Sequence, residues 1–168
     1  SKEGKYLFML AGERNVDLLF EAAVAGGIPL IRVLRESLLG EPVEKIMGIV
    51  NGTTNYILSQ MEENGMPYIE ALLEAQKLGY AESDPTADVS GQDAASKAAI
   101  IAMVAFGADV SLDDVLFEGI QNISSADVAF ASRAGCAIKL LAMISKHGHE
   151  LEVQVYPALL PNSHPLSS

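Results

Sequence analysis

Positive charge is scarce in this chain. Eleven lysines and arginines stand against 22 aspartates and glutamates in 168 residues, a formal net charge of −11. That balance argues against nucleic acid and anionic membrane as partners, since both repel an acidic surface. No uninterrupted apolar run reaches transmembrane length, and no signal peptide precedes the first expected element. Cys136 is the only cysteine, so an internal disulfide is excluded, in keeping with a reducing cytoplasm. Its apolar neighbours make it a buried, inert thiol. His147, His149 and His164 fall in turn-like segments without the partners of a metal site and read as surface residues. There is no internal repeat and no low-complexity linker. No Gly-x-Gly-x-x-Gly turn follows a strand, and Gly26-Gly27 does not replace one, so a dinucleotide fingerprint is missing.

What remains is an ordinary globular composition, 49% hydrophobic and 20% charged, long enough for one domain with a real core. The chain is organised around residues 79–99. Four carboxylates, Glu82, Asp84, Asp88 and Asp93, precede a single lysine, Lys97. Pro85 and its neighbours predict a non-helical loop for the first three. Ser90 with Asp93 three residues on reads as a short capping box, opening a helix stopped by Gly107. The run from Ala94 to Phe106 is apolar and small, as suits a buried helix. Asp93 and Lys97, four apart, project from one face. Such a pair is commonly an exposed contact worth ~0.3–0.5 kcal/mol. Here the helix is otherwise almost without charge, and three further acids precede it, which a merely solvated face does not need.

In chain order, residues 2–14 predict a short helix with Tyr6, Leu7, Leu10 and Ala11 on one face. Asp17 to Val24 reads as a buried strand ending in a glycine turn. Pro29 opens a helix reaching Leu39 and closed by Gly40, with Arg32, Arg35 and Glu36 outward. Glu44 to Val50 reads as a strand covered on both faces. Asn51-Gly52-Thr53-Thr54-Asn55 is a strand-to-helix turn whose N–H groups and hydroxyls can bind an anion or serve only as caps. Tyr56 to Glu63 is helical. A second helix runs from Pro67 to Gly79, with Ile69, Leu72, Leu73, Ala75 and Leu78 toward the core. Residues 112–117 are short and mixed. Ser124 to Asp127 caps a helix fading at Gly135. Cys136 to Ile144 and Leu151 to Leu160 form a hairpin about the turn at 146–149, with Pro157 and Pro161 suited to an edge or an end. The expected fold is α+β: a mixed, partly antiparallel sheet with helices mainly on one face.

Three segments carry a resemblance. Leu78-Gly79-Tyr80-Ala81-Glu82-x-Asp84-Pro85-Thr86-x-Asp88-Val89-x-Gly91-x-Asp93-Ala94-Ala95-x-Lys97 closely resembles the signature of homoserine dehydrogenases. Gly48 to Leu58 and Glu21 to Pro29 resemble two further motifs of that family, in the right order. The resemblance covers about residues 7–166. It implies that residues 1–168 are a catalytic, substrate-binding and dimerising domain. The nucleotide-binding domain would precede residue 1, the chain would return to it after Ser168, and a second lysine from that domain is absent here.

The implied reaction interconverts L-homoserine and L-aspartate 4-semialdehyde with NAD(P), in the route to threonine, methionine and isoleucine. The implied partners are that amino acid and a second copy of the chain, paired through the sheet. By match, Lys97 moves the proton, and Asp93 holds substrate and orients Lys97. Glu82 takes the substrate ammonium, Asp88 supports the loop, Asn51 and Thr53 border the cleft, and Gly79 lies by the cofactor. The Glu21–Pro29 motif implies a monovalent cation such as sodium on carbonyl oxygens of Val24, Gly26 and Ile28, with Glu21 nearby. Two other readings stand beside this one. One is a non-catalytic dimerisation module. The other is a metal enzyme with Mg2+ among Glu82, Asp84, Asp88 and Asp93, whose spacings lack a calcium-loop pattern.

Overall fold

The computed structural model describes residues 2–38 and 40–167. Its elements run α1 (Lys2–Arg14), α2 (Leu30–Arg32), β1 (Lys45–Gly48), α3 (Gly52–Glu63), α4 (Tyr68–Leu78), α5 (Thr86–Val89), α6 (Gln92–Phe106), β2 (Leu116–Phe117), α7 (Ser125–Arg133), β3 (Cys136–His147) and β4 (Glu150–Pro161). The sheet order is β1-β3-β4-β2. β3 pairs antiparallel with both β1 and β4, while β2 runs parallel to β4 over two residues. The sheet is therefore mixed, and the expected hairpin forms through a two-residue turn at Gly148-His149. Pro157 faces Leu140 of β3. It lies beyond the residues that β2 pairs, so its missing N–H breaks no ladder.

The core follows from alternation on the two long strands. Ile138, Leu140, Ala142 and Ile144 of β3, with Val153 and Val155 of β4, join one buried cluster with Ile57, Leu58 and Met61 of α3. α6 completes it. Ala94, Ala95, Ala98, Ala99 and Ala102 are all buried on this helix. Their short side chains let its backbone approach its neighbours closely. α6 ends where Gly107 turns left-handed at φ 65° and takes a bond from its N–H to Met103 O.

Several sequence expectations are corrected. Asp17–Val24 is not a strand: residues 17–21 have no regular structure, 22–24 bend into a turn, Leu19 is 79% exposed, and only Val24 is buried. A short apolar run reads alike for a strand and for a linker with one anchor; here Phe20 is held edge-on by Phe8 at 5.4 Å instead of by a neighbouring strand. The helix opened by Pro29 stays regular for three residues, then widens into a π-type turn over Val33–Ser37; Leu39 lies outside the described residues. Arg32, Arg35 and Glu36 are exposed as expected, with Arg32 Nε 2.9 Å from Glu36 Oε2. β1 is a half-buried edge strand, not one covered on both faces. α4 is rotated from the expected register. Ala75 is buried and Leu72 packs against the core as expected, but Ala71 is buried beside them while Ile69, Leu73 and Leu78 are more than half exposed. The acidic loop contains a helical turn, α5, because Asp84 accepts from Thr86 N–H and Oγ1 just before it. The N-cap of α6 is not Ser90 but Gly91, left-handed at φ 83°; Ser90 Oγ accepts from Gln92 N–H at a long 3.4 Å.

Candidate active site

The site begins with the cap of α3. Asn51 is 4% exposed and extended, and its Oδ1 accepts from Thr54 N–H at 2.8 Å, an ordinary N-cap. That bond fixes the amide plane and turns Nδ2 toward the start of α6. Nδ2 donates to Asp88 Oδ1 at 2.7 Å and to Asp93 Oδ2 at 2.8 Å. Asp93 Oδ2 also receives Lys97 Nζ at 2.6 Å. One side chain thus ties the helix after β1 to the short helix and to α6. The Asp93–Lys97 pair is not a solvated contact: its side chains are 31% and 26% exposed, and its carboxylate is shared with a buried amide.

These groups line an open cavity of about 520 Å³ together with Gly52, Thr53, Asn55, Tyr56, Ser59 and Tyr80. The α3 members recur at one face of the helix, positions 52, 55, 56 and 59. Thr53 Oγ1 donates to the Tyr80 carbonyl at 2.7 Å, which pins the loop after α4. The Tyr56 and Tyr80 rings stack at 4.6 Å, and Tyr56 OH donates to Glu74 at 3.1 Å. Desolvation, then the Glu74 carboxylate, pushes the Tyr56 phenol up, so it stays protonated. Asn55 Oδ1 is buried without a hydrogen-bond partner among the described residues.

The structure therefore brings Thr53, Asp88, Asp93 and Lys97 into one cavity. It does not bring Glu82 or Gly79 to that wall. Both are exposed, in the same loop as Tyr80; Gly79 closes α4 at φ 82°. Glu21 is committed elsewhere: its two oxygens accept from Ile31 N–H at 2.7 Å and Arg32 N–H at 3.0 Å, opening α2. Val24 is buried, while Gly26 and Ile28 are exposed in a turn that places Ala25 at φ 53° and Gly27 at φ 84°. Sequence reasoning missed Tyr56, Tyr80, Asn55 and Ser59. For Asn55, Tyr56 and Ser59 the signal was the helical spacing from Gly52.

A larger hollow of about 700 Å³, lined by Glu21, Arg32, Arg35 and Glu36 among others, holds no comparable chemistry. Glu21 already opens α2, Arg32 pairs with Glu36, and Arg35 bonds the Leu18 carbonyl at 3.3 Å. Among the described residues no three His, Cys, Asp or Glu side chains are grouped to hold a metal ion, which leaves the Mg2+ reading without a site.

The model of the homoserine dehydrogenase family matches residues 29–168. The chain is 56% identical to a homoserine dehydrogenase of Corynebacterium glutamicum over 159 residues, covering 92% of this chain and 36% of that protein. Its fold is similar to the crystal structure of a homoserine dehydrogenase from Thiobacillus denitrificans, with TM-score 0.95, 42% identity, and 99% and 39% of the two chains covered. It is also similar to a hyperthermophilic archaeal homoserine dehydrogenase in complex with NADPH, with TM-score 0.80, 34% identity, and 98% and 46% covered.

Proposed function

This chain belongs to the homoserine dehydrogenase family, and from that premise we propose that it supplies the substrate-binding and proton-transfer half of a longer enzyme. It spans 36% of the Corynebacterium relative and 39% of the Thiobacillus structure. The proposed reaction is the interconversion of L-homoserine and L-aspartate 4-semialdehyde, in the route to threonine, methionine and isoleucine.

The observation that carries this reading is Lys97 Nζ held 2.6 Å from a shared carboxylate at a cavity wall. Lys97 gives a proton to the carbonyl oxygen as the alcohol forms and takes it from the hydroxyl in the reverse direction. Asp93 holds that ammonium in place, and Asn51 holds Asp93. Asp88, bonded to the same amide, supports the wall. Thr53 fixes the Tyr80 loop, and this reading gives the substrate's ammonium to Glu82, an exposed residue of that loop that does not line the cavity. The family uses NAD(P), which when bound supplies the hydride chemistry. The described residues build no dinucleotide fold: the single parallel pairing is the two-residue contact of β2 with β4. This reading gives the body of the dinucleotide to the rest of the longer protein, with Gly79 beside it.

The same reading includes a homodimer through the second sheet face, where the half-exposed Met143, Gln154 and Tyr156 alternate with the core residues. It includes a cytoplasmic location and neither nucleic acid nor membrane as partner; no described helix is long and apolar enough to cross a membrane. It also includes a monovalent cation at the 24–28 turn. Among the described residues the carbonyls of Val24 and Gly26 accept no backbone hydrogen bond, but the Ile28 carbonyl already accepts from Leu30 N–H. Glu21 would assist from its place at the start of α2.

The test is homoserine-dependent reduction of NAD(P)+ by the full-length enzyme carrying this chain. Lys97→Met lowers kcat by about 10²–10⁴-fold with the fold intact. A turnover close to that of the parent removes Lys97 from the chemistry.

A further inference from the structure

β2 buries little apolar surface: Leu116 is 71% exposed and Phe117 42%. Its two residues pair with Gln154 and Val155 of β4, and the ladder gains one more rung, from Glu118 N–H to Val155 O at 2.8 Å. Beyond that rung the chain runs against the corner between α5 and α6. A Cβ on Gly119 would lie 2.1 Å from Val89 O. Gly91 mirrors the fit, with its own Cβ position 3.0 Å from Glu118 O. Two backbones thus cross where two glycines let them touch. Ile120 N–H then donates to Val89 O at 2.9 Å, and both residues are buried.

That corner carries both acids of the site. Asp88 precedes Val89, and Asp93 is the second residue of α6. Neither helix secures the corner by itself. α5 has four residues, too few to be stable alone, and the N-cap of α6 is a glycine without a side chain to bond the first turn. Asn51 bonds the carboxylate ends, which turn about their own side-chain torsions. The backbone beneath them is held by the loop at 118–120. Asn51 follows β1 and Glu118 follows β2, the two edges of the sheet. The sheet therefore grips the acids from both edges, through a side chain on one side and a backbone on the other.

We infer that Glu118, Gly119 and Ile120 are positioning residues for proton transfer: hung from β4, they fix the α5–α6 corner and through it the Asp93 carboxylate that holds Lys97. This rests on the functional reading above. Asp93 Oδ2 meets Lys97 Nζ at 2.6 Å, so a displaced corner displaces the ammonium with it. A misplacement of about 1 Å costs a reaction roughly 10²-fold. β2 has its use here: its ladder carries the loop to the site.

The experiment uses the full-length enzyme. Glu118→Pro removes the N–H that hangs the loop on β4 and alters no buried side chain, because Glu118 is exposed. Turnover of homoserine falls by about 10- to 100-fold, while KM for NAD(P)+ stays within about threefold. In a Lys97→Met background the same substitution lowers kcat by less than about twofold further, since the group being positioned is gone. A parent-like kcat in the folded variant overturns the assignment. So does an equal loss in both backgrounds, which is what a merely structural role gives. Hydrogen exchange on the parent decides the matter even if the variant does not fold. The amides of Glu118 and Ile120 exchange as slowly as that of Ala95 in α6, and exchange of either at the rate of an exposed loop overturns the inference. A parent inactive on homoserine removes the functional reading first; the exchange result is independent of it and tells the two failures apart.

Discussion

Replacing Asn51 by aspartate keeps the shape of the side chain and reverses its chemistry. The oxygen that caps α3 remains, so the bond from Thr54 N–H survives. The nitrogen that donates at 2.7 Å to Asp88 and 2.8 Å to Asp93 becomes an acceptor facing two acceptors. Hydrogen bonds to charged groups contribute about 1.5–3 kcal/mol each. Both carboxylates are half-buried and water can take over part of the loss, so the lower end applies: the two lost bonds cost Asn51→Asp about 3 kcal/mol at neutral pH, to which like-charge repulsion adds more than the ~1 kcal/mol that a cap contributes. Asn51→Ala loses the same bonds and the cap, a further ~1 kcal/mol, but adds no charge. Three carboxylates in one place cannot all ionise cheaply. At about pH 7 the aspartate variant is therefore the less stable of the two. Near pH 4 the order reverses, as the introduced carboxyl takes a proton and becomes a donor again. Urea unfolding followed by circular dichroism at the two pH values reads both differences. If the order of the two variants is the same at both, the amide does not organise the acids and the account of the site is wrong.

Two further outcomes follow from the surroundings. A Cβ built on Gly119 would lie 2.1 Å from Val89 O and 2.6 Å from the Ser90 backbone, where Ile120 N–H bonds Val89 O. Gly119→Ala therefore destabilises by at least about 3 kcal/mol and shifts the start of α6, read as a lowered melting temperature together with lost activity. Hydrogen bonds from Ser124 hold the Asp127 carboxyl below its usual range, as Thr86 does for Asp84 and Ser111 for Asp114. A carboxyl depressed in the folded state adds stability above its unfolded value, and that stability is lost as the pH falls through the folded value. The urea midpoint of the parent therefore falls below about pH 4, and Asp127→Asn flattens that fall; parallel curves would contradict the capping role.

The limits of α4 and α7 were legible, because a proline, a capping residue or a glycine bounds them. α4 runs to Gly79 and α7 starts from the reciprocal bonds of Ser124 and Asp127. The hairpin of β3 and β4 was legible from its turn and its alternation. The segment around Leu19 was not, because a run of apolar residues does not announce whether a neighbouring strand exists to pair with it. The register of α4 was missed for a related reason: alanines win the buried face where backbones approach closely, and leucine and isoleucine are left outside. In the site, Asp93 and Lys97 were visible because they are four apart on one helix. The link from Asn51 to Asp93 spans 42 residues and exists only once α3 and α6 are packed.

The most direct measurement is a crystal structure of the full-length enzyme with L-homoserine and oxidised cofactor bound. The account places the substrate hydroxyl within about 3.2 Å of Lys97 Nζ while the Asp93 contact is kept. A hydroxyl seated against another group, with Lys97 left to solvent, would contradict it.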